Sequence, residues 1–444
     1  VINKRHRLTL VSMSCLRVGH DELLARGMSL PGLARRASAL AQLPPLGLLT
    51  IAATAPADWD IDLVSDDGRD DEADIVDRIL HHRPDVVAFS CLTPAVDRAA
   101  RISALVRRQR VSEKRIVTVV GGLHATAAPS HCEPHFDVVT SGDGEVTLPR
   151  LLSDIVAGQM QLRYSANGSY CLAKSPTPRW DLIGPDAPPR YTLQTMRGCP
   201  WACSFCAASR LLGLPRTKSN DQIERELAAI TAMRQRPWIE LADDNTFASD
   251  RDHGPMLDAL RQCGARWFTE SDWRIAERPD LLRQIAASGC RQILIGLESS
   301  VFRYRGMGAK TAAWQRMIDA VDVIQAAGII VNACFIVGAD GETPESIERL
   351  GDYLETASMG EVQLTLQTPF PGTSLYDSLK AAGRLLPGDF SRYTLFDVVY
   401  QPDQMTAEQL QNAFHDLVSR VFRDDVQRRR DKIQKSIRAI ARTR

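Results

Sequence analysis

The segment Arg197-Gly198-Cys199-Pro200-Trp201-Ala202-Cys203-Ser204-Phe205-Cys206 sets three cysteines at CxxxCxxC spacing, close enough along the chain to grip three corners of one iron–sulfur cluster. A cuboidal 4Fe-4S cluster that only carries electrons takes four cysteine ligands. Three thiolates leave one iron open to a small molecule, so the loop reads as a reaction centre. A structural zinc site is the other reading of such a loop, and it requires a fourth ligand. No second CxxC and no histidine stands nearby, and the nearest spare thiols are Cys171 and Cys263.

The rest of the chain is large enough to build a scaffold around that loop. Its 444 residues, 44% hydrophobic and 24% charged, suffice for two or three domains with cores of their own. Fifty-four basic residues balance 54 acidic ones, which argues against bulk attraction to nucleic acid or to a membrane. No apolar run reaches the roughly 20 residues of a membrane helix, and Val1 to Leu10 has no cleavable signal pattern, so a cytoplasmic location is expected. Outside the loop, Cys15, Cys91, Cys132, Cys171, Cys263, Cys290 and Cys334 read as buried small hydrophobes.

Upstream, short apolar runs at Leu8 to Met13, Ile61 to Val64, Val86 to Phe89, Ile116 to Val120 and Val138 to Thr140 alternate with helical patterns such as Ala73 to His82 and Val96 to Arg108. That alternation predicts a doubly wound parallel sheet, Rossmann-like, with ligands bound beyond the carboxyl ends of its strands. Two glycine turns fall there, Gly121-Gly122-Leu123-His124-Ala125-Thr126 and Ser141-Gly142-Asp143-Gly144-Glu145. Neither is GxGxxG, which disfavours a nicotinamide or flavin dinucleotide. From Ser175 to Arg190 the chain carries Pro176, Pro178, Pro185, Pro188 and Pro189, which suits an extended connection.

Downstream, strands are expected near Thr192 to Met196, Ile239 to Ala242, Arg266 to Glu270, Gln292 to Gly296, Ile329 to Val337 and Glu361 to Gln367. Helices fall between them at Asp221 to Met233, Pro279 to Ser288, Ala312 to Ala327 and Pro344 to Thr356. Six such units make a partial (βα)6 barrel of TIM type, whose active residues gather at the strands' carboxyl ends. A capping box at Thr406-Ala407-Glu408-Gln409 then opens a helix with Leu410, Phe414, Leu417, Val418, Val421 and Phe422 on one face, expected to cover the open side of the barrel or to join the domains. Arg428 to Arg444, eight basic residues against one acid, reads as a solvated helix end. The expected division is 1–173, a linker 174–190, the barrel 191–385 and a helical region 386–444.

The cluster loop and the barrel after it resemble the radical S-adenosylmethionine (SAM) superfamily. The first-half turns, with Pro44-Pro45-Leu46-Gly47 opening a helix, resemble the cobalamin-binding domain fused to many of its members, and Thr368-Pro369-Phe370-Pro371-Gly372-Thr373 resembles a segment of the same cobalamin-type enzymes. The resemblance implies that Cys199, Cys203 and Cys206 hold a 4Fe-4S cluster whose open iron chelates SAM and whose electron breaks the sulfonium bond to give a 5′-deoxyadenosyl radical. It implies SAM contacts from Phe205, Asp243, Asp244, Ser271, Glu298 and Gly338, the last in a turn that departs from the family's at Ala339 and Asp340. Glu270 and Asp272 fall at the same strand end as Ser271.

For cobalamin it implies Ser90, Thr93, Gly121, Gly122, His124, Thr126, Gly142, Gly144 and Glu145. DxHxxG is absent from the loop Ser14 to His20, so neither His20 nor His124 is assigned to cobalt, and no catalytic residue is assigned beyond the cluster. The function implied is methylation of an unactivated carbon of a metabolite by way of methylcobalamin. A small-molecule substrate and a reductant such as flavodoxin or ferredoxin are implied as partners, with no role for membrane or nucleic acid. Cyclisation or rearrangement without methyl transfer would use the same parts. A tRNA methylthiotransferase-like enzyme, with Cys15, Cys91 and Cys132 at a second cluster, and a non-catalytic iron–sulfur or cobalamin sensor are further alternatives.

Overall fold

Six parallel strands make the first sheet of the computed structural model, which describes residues 5–13, 43–66, 68, 70–111, 114–166, 170–184 and 190–443. In chain order they are β1 (His6–Met13), β2 (Trp59–Asp66), β3 (Val86–Ser90), β4 (Val117–Gly121), β5 (Val138–Ser141) and β6 (Arg163–Ser165). Across the sheet the order is β2-β1-β3-β4-β5-β6. Val87 and Phe89 point into one apolar layer and Val86 and Ala88 into the other. Burial on both faces is why these strands read as continuous apolar runs. The two edge strands escape that pattern: β2 carries Asp60 and Asp62, both half-buried, and only Tyr164 of the three residues of β6 is buried. The loop with Cys15 and His20, and Pro185, Pro188 and Pro189, lie outside the described residues.

A second parallel sheet keeps the chain order from edge to edge: β7 (Arg190–Leu193), β8 (Trp238–Leu241), β9 (Arg266–Ser271), β10 (Cys290–Glu298), β11 (Ile330–Val337) and β12 (Glu361–Leu366). Helices Asn220–Met233, Gly254–Gln262, Pro279–Ala287, Trp314–Ala326 and Pro344–Thr356 cover its outside, giving the partial (βα)6 barrel with β7 and β12 as its edges. One strand departs from expectation. β7 stops at Leu193, and Met196–Arg197 pairs instead with Arg216–Thr217 as a short antiparallel ribbon. The cause is Asp243, whose carboxylate accepts the backbone N–H of Thr195 at 2.7 Å and of Met196 at 3.0 Å, two consecutive amides that point to opposite sides in an extended strand and so must leave it to share one acceptor.

The connection between the sheets is docked. Gln222 Nε2 donates to the carbonyls of Leu172 and Ser175, and Trp180 packs edge-on against Tyr191 at 5.7 Å beside Leu46 and Leu49. Helix Leu46–Ala52 therefore joins the domains at the β7 edge, where Thr192 Oγ1 reaches Pro44 O at 3.3 Å. Helix Ala407–Val421, opened by the expected capping box, packs on Pro344–Thr356 in the outer layer of the barrel. Asp424–Thr443 is docked as well. Arg430 is buried and donates to Val421 O at 2.8 Å and Leu354 O at 3.1 Å, so it caps carbonyls instead of facing solvent. Cys171 is exposed, contrary to its reading as a buried hydrophobe, because it precedes a one-turn helix at the surface.

Candidate active site

The cluster loop leaves the end of β7 and is pinned from three sides. After β8, Asp243 holds Thr195 and Met196, while Asp244 accepts the N–H of Gly198 at 2.7 Å. Gly198 has φ 89°, and a Cβ there would stand 2.5 Å from Gly213 O, so only glycine fits the turn that brings in Cys199. After β9, Asp272 accepts from Trp201 Nε1 at 3.0 Å and from Asn245 Nδ2 at 3.1 Å. After β10, the carbonyls of Arg305 and Gly306 accept the N–H groups of Ser204 and Ala202.

Cys203 is buried and Cys199 and Cys206 are half-buried, all three on the loop held by these contacts. Burial pushes the Cys199 thiol up to about 11, opposed by the backbone N–H of Trp201 and the ammonium of Lys310. Thiols so placed are poor free nucleophiles but suit iron, which takes the thiolate outright. The three positions thus fit a cluster.

Around them stand the carboxylates expected at the strand ends. Glu298 lies where β10 slips register against β11, with φ 61°, a left-handed conformation that few non-glycine residues adopt. Its partner is Lys310, Nζ to Oε1 3.1 Å, both side chains nearly buried. Burial would lower the Lys310 ammonium, yet Glu298 and Cys203 together hold it above its ordinary value. Lys310 also sits 5.9 Å over the ring of Phe205, which meets Tyr304 edge-on at 4.6 Å. Ser271 Oγ points to Asn245 Oδ1 at 3.4 Å. Gly338, φ 97°, is packed under Tyr400 and Leu410 and donates its N–H to Glu342 at 2.8 Å, so it shapes the backbone.

Above the first sheet a cavity of about 500 Å³ opens at the carboxyl ends of β3, β4 and β5. Ser90, Gly121, Gly122, Thr126, Gly142, Gly144 and Glu145 line it. Thr93 and His124 stand apart from that lining and face each other, Oγ1 to Nδ1 3.2 Å. The barrel supplies the opposite wall through Gln194, Arg197, Arg210 to Gly213 and Arg216. Gly47 lines the cavity with nothing within 4 Å of where its Cβ would be. A side chain there would fill space, which is the cradle that a large ligand approaching the helix needs.

Two arginines sequence reasoning missed tie this cavity to the cluster loop. Arg197, the residue before Gly198, donates to Asp143 at 2.7 Å and to Glu145 at 2.6 Å, and Arg216 donates to Asp143 at 2.7 Å. Burial opposes ionisation of Asp143, but Arg216, the Tyr170 N–H and Arg197 hold its carboxyl below the usual range. Lys310 was missed too; its one signal was a lysine after the Gly306-Met307-Gly308 bend beyond the Glu298 strand end.

With that geometry in place, residues 32–152 match the B12 binding domain family and residues 193–354 the radical SAM superfamily. Among curated proteins the chain is 27% identical over 401 residues to the uncharacterized methyltransferase PH0819 of Pyrococcus horikoshii, covering 83% of this chain and 85% of that one. It is 26% identical over 377 residues to the hopanoid C-2 methylase of Rhodopseudomonas palustris, covering 82% and 69%. Among solved structures, OxsB with aqua-cobalamin, a cobalamin-dependent radical SAM enzyme, superposes with TM-score 0.68 at 16% identity, over 93% of this chain and 66% of that longer one. TsrM from Kitasatospora setae with cobalamin and a [4Fe-4S] cluster superposes with TM-score 0.62 at 16% identity, over 86% and 79%.

Proposed function

We propose that this chain, which joins a B12-binding domain to a radical SAM domain, methylates a carbon of a small-molecule substrate, using cobalamin, SAM and a 4Fe-4S cluster. The observation that carries the reading is the shared wall: the cavity at the ends of β3 to β5 is closed by the residues that flank the cluster loop. When bound, the two cofactors supply reductive cleavage of SAM and carriage of a methyl group. Cys199, Cys203 and Cys206 are the cluster ligands, with one iron left to SAM.

Glu298, fixed by Lys310, offers its carboxylate to the ribose hydroxyls of SAM, and Phe205 offers an apolar face to its adenine. Asp243 and Asp244 act mainly through the loop they hold, since their oxygens are engaged by Thr195, Met196 and Gly198. On the cobalamin side, Ser90, Gly121, Gly122, Thr126, Gly142 and Gly144 let the ligand lie against backbone. Glu145 and Asp143 are neutralised by Arg197 and Arg216, so the cavity floor presents no free carboxylate. A reductant such as flavodoxin or ferredoxin and a cytoplasmic location complete the reading. No described helix is long and apolar enough to cross a membrane.

Relatives named as anaerobic magnesium-protoporphyrin IX monomethyl ester cyclases, 23% identical over 385 residues in Rubrivivax gelatinosus, favour cyclisation as a second reading. The protein reconstituted with iron, sulfide and hydroxocobalamin and given reductant and SAM alone separates the two. About four irons and one retained cobalamin, with both S-adenosylhomocysteine and 5′-deoxyadenosine released, support methyl transfer. Release of 5′-deoxyadenosine alone would favour the cyclase, and loss of cobalamin on gel filtration would defeat both.

A further inference from the structure

Beyond β4 the chain gathers three metal-ligating side chains that neither the cluster loop nor the cavity lining includes. His124 lies on helix Leu123–Ala127, and His131 and Cys132 on the single turn Pro129–Cys132. Their donor atoms all fall within 4.8 Å of one another. His124 and Cys132 are fully buried, whereas the His131 side chain is 32% exposed. His124 Nε2 stands 3.2 Å from His131 Nδ1. Two imidazoles on one tetrahedral zinc, each bond about 2.0–2.1 Å, have their nitrogens about 3.3 Å apart.

Each outward nitrogen has a polar group beside it. His124 Nδ1 is 3.2 Å from Thr93 Oγ1, and His131 Nε2 faces Asp97 Oδ1 at 3.7 Å. The Thr93 hydroxyl can accept from His124 Nδ1 and the Asp97 carboxylate lies at ion-pair distance from His131 Nε2, so each outward nitrogen has an acceptor once both lone pairs turn to a metal. We propose that His124, His131 and Cys132 form a binding site for one zinc-class ion, with water as the fourth ligand on the open side of His131. Two imidazoles and one thiolate suit zinc and disfavour magnesium or calcium, which take oxygen ligands.

The protons balance without a redox step. Cys132 releases its thiol proton to solvent as the S–metal bond forms. The proton now shared between the two rings moves to an outward nitrogen, so the imidazole pair loses none. Because Phe390 meets His124 and His131 edge-on at 4.7 and 4.8 Å, and its N–H donates to Asp97 at 2.8 Å, the ion fastens the segment beyond the barrel to the first sheet.

Cobalt(II), the optical stand-in for zinc, tests the site in the full chain carrying C199A, C203A and C206A and no cobalamin, so that the cluster loop contributes nothing. The expected result is one cobalt per chain with the visible bands of a tetrahedral site and a thiolate charge-transfer band, both bleached by one equivalent of zinc. Adding C132S should abolish the charge-transfer band. D97N should weaken cobalt by about 10- to 100-fold. Zinc should raise the melting temperature of the C132-containing chain and leave that of the C132S chain unchanged, which separates lost binding from lost folding. Octahedral spectra only, or a charge-transfer band indifferent to C132S, would overturn the proposal.

Discussion

Gly47 and Glu342 each carry a consequence that can be read from a single side chain. A leucine at Gly47 projects into open cavity and suits the helix it sits in. G47L should therefore keep the melting temperature while cutting the cobalamin retained after gel filtration by about tenfold or more, the effect of roughly 1.4 kcal/mol. Glu342 is buried beneath β10 and β11, accepting from Ser299 Oγ and Gly338 N–H, and burial pushes its carboxyl up from 4.5 to about 7. A raised acid favours the folded state when protonated, so this contribution is complete below about pH 4.5 and lost as pH rises through about 7. Urea unfolding should show a slope on the order of 3 kcal/mol across that window, flattened in E342Q. Individual site residues were legible where their neighbours spelled a turn, as around Glu298. Lys310 was not, because a lysine twelve residues beyond its partner announces nothing until the bend at Gly306 and Gly308 brings it back.

At the scale of elements, the second glycine turn and the cluster loop are joined by charge. Removing one member of a buried ion pair costs about 3–5 kcal/mol because the partner remains without compensation. R197M strands Glu145, whose side chain is 3% exposed, and should destabilise the protein by roughly that amount in denaturant. R197M/E145L should recover much of it, and a double-mutant cycle on the two positions measures the coupling. Strand positions were legible in the first sheet from continuous apolar runs such as Val86–Ser90 and in the barrel from alternation such as that of Arg266–Ser271. The ribbon at Met196 escaped because Asp243, distant in sequence, captures two backbone donors, and β6 escaped for a local reason, being too short and polar to signal itself.

For the molecule as a whole, the carboxyl-terminal helix is a structural part of the barrel. Val426 and Ile437 are buried, and Gln434 Nε2 donates to Gly360 O at 2.9 Å beside the start of β12. Deleting residues 424–444 should expose those contacts at about 2 kcal/mol per apolar side chain and lower the melting temperature by roughly 10 °C. The basic composition of that stretch concealed this, since Val426, Ile437, Arg430 and Gln434, which help to dock it, are scattered among exposed charges. The quartet Asp143, Glu145, Arg197 and Arg216 has its acids on one domain and its bases on the other. A chimaera that grafts this first domain onto a barrel without the two arginines would bury two carboxylates without their counterions. The four positions therefore form one unit of inheritance, exchangeable together and costly to exchange apart.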